Sequence, residues 1–89
     1  MLKLERKVTI CNKLGLHARA ATQMAVMASE FDAKVTIIHG DKTASADSVL
    51  GLLMLESSIG KEITLIAEGR DAKKALDALS DLINKRFNE

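Results

Sequence analysis

The sequence predicts an α+β fold in two layers, a four-stranded and mostly antiparallel sheet with three helices covering one face. Three observations predict it. Strand-length segments with one apolar and one polar side alternate with segments whose apolar residues recur at helical spacing. Their order is strand–helix–strand–strand–helix–strand–helix, with no linker, repeat or low-complexity stretch between them. The 89 residues are 47% hydrophobic and 28% charged, enough for one thin core and too few for two. One-sided strands and amphipathic helices bury their apolar faces against each other, which leaves the second face of the sheet to water.

In the first segment Leu2, Leu4, Val8 and Ile10 share one parity, against Lys3, Glu5, Lys7 and Thr9. Arg6 interrupts the apolar parity, so the strand is expected from Lys7 to Cys11. Asn12-Lys13-Leu14-Gly15 reads as a loop. A helix follows from Ala18, with Ala21, Met24, Ala25 and Ala28 on its apolar face. Ala33 to His39 reads as a strand with Val35 and Ile37 inward, and Gly40-Asp41 as a turn into a short strand from Lys42 to Ala44. The second helix is expected from Ser48 to about Leu55, followed by a loop that ends at Gly60. Glu62 to Glu68 sets Ile63, Leu65 and Ala67 on one side, and Gly69 ends it. Asp71 is expected to cap a third helix whose stripe is Ala72, Ala75, Leu76, Leu79, Leu82 and Ile83. Lys85 and Arg86 suit its negative end.

Composition excludes several functions. Thirteen basic against twelve acidic residues leave a net charge of +1, so no basic field for nucleic acid is expected. Phe31 and Phe87 make up the 2% aromatic content, too little for a base-stacking surface. Cys11 is the single cysteine, which suits a reducing cytoplasm, and it reads as a packed strand-end residue. The two histidines lie far apart and no metal site or cofactor is expected. His39 reads as an ordinary side chain beside a turn. No apolar run approaches the ~18 residues of a membrane span, and the charged opening after Met1 does not read as an export leader.

His17 carries the chemistry. It stands between the Gly15 loop and the Ala18 helix, where backbone N–H groups and the positive end of the helix dipole can receive an anion. Arg19 adds a permanent cation whose fork matches phosphate oxygens. A nucleophilic ring, an anion-binding backbone that includes Ala18 and Ala20, and a cation thus fall within a few residues. Phosphoryl transfer depends chiefly on such positioning and charge stabilisation. An isolated histidine at a helix start is usually only a surface residue; the spacing to Arg19 narrows that preference without reversing it, and a resemblance over the surrounding residues reverses it.

Gly15-Leu16-His17-Ala18-Arg19-Ala20-Ala21-Thr22 resembles the active-site signature of the HPr family, the histidine-containing phosphocarriers of the phosphoenolpyruvate-dependent phosphotransferase system. The resemblance extends over the whole chain, including the order of elements, Ser48-Val49-Leu50-Gly51-Leu52 and Gly60 ahead of the last strand. It implies a single HPr domain over residues 1–89 with an open-faced β-sandwich fold. It also implies that His17 is phosphorylated on its δ nitrogen by an enzyme I-type donor, that Arg19 assists, and that a IIA-type protein accepts the group. Ala20 stands where most members have proline, which keeps the helix and adds a backbone donor. The Asn12-Lys13-Leu14-Gly15 lead-in and Leu52-Leu53-Met54-Leu55 look most like the nitrogen-branch members, with the sugar branch as the alternative. A partner-binding α+β module without phosphotransfer is the alternative from another class.

The second helix is apolar nearly all round, so part of it must face water. Leu52 and Leu55 are expected in the core. Val49, Leu50, Leu53 and Met54 are candidate docking residues, in agreement with the family's contact surface beside the histidine. Ser48 reads first as an N-cap. The family also makes it a candidate for a serine kinase, although Asp47 already sets an anion beside it. A relay protein that docks several partners through one face is expected to be a monomer.

Overall fold

Arg6 decides where the first strand begins. In the computed structural model, which describes residues 3–88, β1 spans Lys3–Thr9, four residues ahead of the predicted start and two short of the predicted end. Arg6 keeps the inward parity that its charge was expected to forbid. Its guanidinium reaches across to the third helix, where Nη2 lies 2.8 Å from Asp77 Oδ1 and Nη1 donates to Ser80 Oγ at 3.3 Å. A long aliphatic stem can lie along apolar surface while its charged head is paired beyond it. Hydrogen bonds from Lys73 and then Arg6 hold the Asp77 carboxyl below its ordinary value. Leu2, expected on the same side, lies outside the described residues.

The other elements are α1 (Ala18–Ser29), β2 (Lys34–His39), β3 (Lys42–Ser45), α2 (Val49–Met54), β4 (Glu62–Glu68) and α3 (Ala72–Asn84), followed by a left-handed turn at Arg86–Asn88, where all three residues have positive φ. The sheet order is β1-β4-β2-β3, and every neighbouring pair is antiparallel. The register aligns one inward row as Leu4, Ala67 and Val35 and the next as Arg6, Leu65 and Ile37. The opposite face carries Lys3, Glu68 and Lys34 side by side across three strands. This is the open-faced sandwich the sequence predicts, a four-stranded antiparallel sheet with its helices on one side.

The core lies between sheet and helices. Ile10, Ile37, Ile63 and Leu65 meet Met24 of α1, Leu52 of α2 and Leu76, Leu79 and Ile83 of α3, all fully buried. The predicted stripe of α3 is buried in full. On α1 the buried residues are Ala20, Ala21, Met24 and Ala28, while Ala25 is half-buried. Asp71 occupies the N-cap position of α3 but makes no side-chain cap bond. Its Oδ2 instead accepts from the backbone N–H of Asp32 at 2.9 Å, tying that helix start to the loop after α1. Cys11 is half-buried just past β1, and its thiol donates to the carbonyl of Ile83 at 3.2 Å. Among the described residues no helix is long and apolar enough to cross a membrane.

Candidate functional site

The site is built on a turn that leads from β1 into α1. Asn12 is fully buried, and its Nδ2 donates to the carbonyl of Gly15 at 2.7 Å while its own carbonyl accepts from the Gly15 N–H at 3.1 Å. Asparagine favours such turns because its side chain can bond the backbone a few residues on. Gly15 has φ +67, and a Cβ there would stand 2.6 Å from the carbonyl oxygen of Ser57 and 2.8 Å from Ser58 Cα. Only glycine lets the two backbones approach this closely. The approach brings the N–H of Leu16 to the Ser57 carbonyl at 2.8 Å, and the buried Leu16 side chain fastens the loop to the core.

His17 comes next, half-buried, as the N-cap residue of α1 with extended backbone at φ −95 and ψ −178. Its side chain makes no cap bond to the helix. The first bond of the helix runs from the Ala21 N–H to the His17 carbonyl at 2.8 Å, so the N–H groups of Ala18, Arg19 and Ala20 have no partner within the helix. They point past the N-terminus, where the dipole favours negative charge. Ala18 and Arg19 are exposed, whereas the Ala20 methyl is buried under the helix.

Ser48 is the N-cap of α2, and its Oγ accepts from the Gly51 N–H at 3.1 Å. On that helix Leu52 faces the core and Leu55 is buried just beyond it. Leu50 and Met54 are 70% and 67% exposed, while Val49 and Leu53 are half-buried and pack against the core. Leu14, in the loop that leads to His17, is 68% exposed. The candidate docking residues therefore divide into two that stand in solvent and two that do so in part.

Three residues that were not among the candidate site residues, Asn12, Gly15 and Ser57, belong to the support of the site. Asn12 and Gly15 carried the signal of a turn. Ser57 carried none, because its role is a backbone contact with a segment forty residues away. His39, read as an ordinary turn-side residue, has its Nδ1 3.0 Å from the Leu55 carbonyl and 3.0 Å from Ser57 Oγ.

The fold and the histidine at the head of α1 are matched by a family of small phosphocarriers. The model of the family described as "PTS HPr component phosphorylation site" matches residues 4–85. Over 89 residues the chain is 65% identical to the phosphocarrier protein NPr of Shewanella violacea, covering 100% of this chain and 98% of that protein. It is 42% identical over 86 residues to the phosphocarrier protein HPr of Cupriavidus necator, covering 97% of each. The crystal structure of HPr-C-His from Thermoanaerobacter tengcongensis superposes with a TM-score of 0.92 at 38% identity, covering 97% of both chains. The chain belongs to the HPr family of phosphotransferase-system phosphocarriers and is NPr-like within it.

Proposed function

We propose that His17 is the residue that carries the phosphoryl group, between an enzyme I-type donor and a IIA-type acceptor of the nitrogen-related branch. The observation that carries this reading is the start of α1, where His17 is the N-cap residue and the N–H groups of Ala18, Arg19 and Ala20 have no partner within the helix. A ring nitrogen attacks phosphorus, and the bond from phosphorus to the donor breaks as the N–P bond forms. The N–H groups of Ala18, Arg19 and Ala20 and the Arg19 guanidinium then hold the phosphoryl oxygens. The second transfer reverses the step, with an acceptor side chain as nucleophile.

Leu50 and Met54 supply the exposed apolar surface that both partners would use in turn, and methionine adapts to unlike surfaces. The 65% identity to the NPr of Shewanella violacea supports the nitrogen branch over sugar uptake. A serine kinase acting on Ser48 would take its Oγ from the cap bond to Gly51, and the phosphate would sit favourably at the N-terminus of α2 while adding negative charge beside the docking residues. The carrier would work as a cytoplasmic monomer.

Incubation with phosphoenolpyruvate and enzyme I of each branch tests the reading. One acid-labile phosphoryl group per chain is expected, transferred faster from the nitrogen-branch enzyme. Undiminished labelling of His17→Ala would overturn the assignment, and faster transfer from the sugar-branch enzyme would move the chain to the sugar branch. Partner binding indifferent to His17 and Arg19, without labelling, would make it a binding module.

A further inference from the structure

We infer that His39 is a positioning residue for the phosphoryl-acceptor loop, acting through Ser57 on the backbone that delivers His17. The inference rests on the reading of His17 as the acceptor.

His39 is the last residue of β2 and is half-buried. Its Nδ1 contacts the Leu55 carbonyl and Ser57 Oγ, each at 3.0 Å. A carbonyl oxygen can only accept, so Nδ1 bears the proton and its N–H is shared between the two oxygens. Leu55 is the C-cap of α2, where carbonyls have run out of helical partners. One ring therefore fastens the end of α2 and the segment that follows it to the rim of the sheet.

That segment has no strand or helix of its own before β4, and Glu56 within it adopts φ 52. Among the described residues it is also tied by Lys42 to Glu56 at 3.2 Å, with the carboxylate largely exposed, which adds little to order, and further on by backbone bonds between Ile10 and Gly60 and Lys61. Ser57 is buried, and its carbonyl receives the Leu16 N–H at 2.8 Å. Two successive hydrogen bonds thus run from His39 to the residue before His17. If the ring is replaced by an apolar side chain, Leu55 O and Ser57 Oγ lose their shared donor and Ser57 loses its fixed place. The support under Leu16 then moves, and with it the attacking ring. In-line transfer is sensitive to such displacement, since ~1 Å of misplacement can cost ~100-fold in rate. Asparagine presents an amide nitrogen close to where Nδ1 stands and can keep the tie.

The test uses the full chain as wild type, His39→Leu, His39→Asn and His17→Ala, charged by enzyme I and phosphoenolpyruvate. For His39→Leu, kcat is expected to fall about 10-fold with KM within about twofold, because alignment and not docking is lost. Hydrogen exchange of the Leu16 amide should quicken about 10-fold while that of Leu65 in the core stays as in wild type. His39→Asn should stay within about twofold of wild type in all three quantities. Wild-type kcat and Leu16 exchange in His39→Leu would overturn the proposal. So would an equal rise in exchange at Leu16 and Leu65, which would make His39 a matter of global stability. Labelling of His17→Ala would instead refute the acceptor assignment itself, whatever the His39 variants do.

Discussion

Replacing Gly15 with alanine probes the contact on which the loop before His17 rests. At φ +67, an L residue pays about 1–2 kcal/mol for the left-handed conformation. The added Cβ would lie 2.6 Å from Ser57 O and 2.8 Å from Ser58 Cα. Both are backbone atoms, so relief requires the two loops to separate. Separation breaks the Leu16 N–H bond to Ser57, held at 2.8 Å and worth about 1 kcal/mol net. Together the loss is about 2–3 kcal/mol, and each kcal/mol lowers the melting temperature of a domain this size by about 4–8 °C. Gly40→Ala is the matched control, since Gly40 has φ +63 and nothing within 4 Å of a built Cβ. It should lose the conformational part alone. Urea midpoints at unchanged m-value measure both. Losses equal within about 0.5 kcal/mol would refute the close approach. Gly15→Ala should also slow labelling of His17, whereas Gly40→Ala should not.

Three further outcomes are expected. Asp77 is held below its ordinary value of 3.8 by Lys73 and Arg6, so its contribution to stability is present above that value and fades as pH falls through the lower folded value. The stability advantage of wild type over Asp77→Asn in urea titrations should therefore be present near pH ~6 and shrink as pH falls below 3.8, and an advantage that does not change with pH would refute the pairing. On α2, Leu52→Ala should cost about 2–5 kcal/mol as a core truncation. Leu50→Ala should stay within about 0.5 kcal/mol yet raise KM for the partner proteins. An unchanged KM would remove Leu50 from the docking surface.

The strand β4 and the helix α3 were legible because their apolar residues keep one period from end to end, and the period alone decides which face is buried. The start of β1 was not, because Arg6 breaks the parity within a local window. Its compensation, Asp77 and Ser80, lies more than seventy positions away. Asp71 shows the same limit in milder form. Its position at the helix start follows from residue type, but its side chain serves the Asp32 N–H, a partner that local sequence does not reveal. In the candidate site, His17 and Arg19 stood out because nucleophile, cation and helix start are neighbours along the chain. Ser57 and His39 did not, since their roles arise only when the α2–β4 segment folds back on the Gly15 turn. Chemistry that is local in sequence could be read, and the support that is local only in space could not.

The strand order β1-β4-β2-β3 also bears on how the chain is made. A ribosome adds about 5–20 residues per second, so His17 precedes Glu62, the first residue of β4, by roughly 2–9 s. Throughout that interval β1 has no neighbouring strand, and an unpaired edge of this kind can template association with other chains. Ser57, on which Leu16 leans, is also still to come for most of it. A nascent or truncated product that ends before β4 would contain the histidine and the whole of α1 without the ladder and loop contact that hold them. Such fragments should leave β1 and the loop before His17 open to proteases, which the completed ladder and loop contact protect.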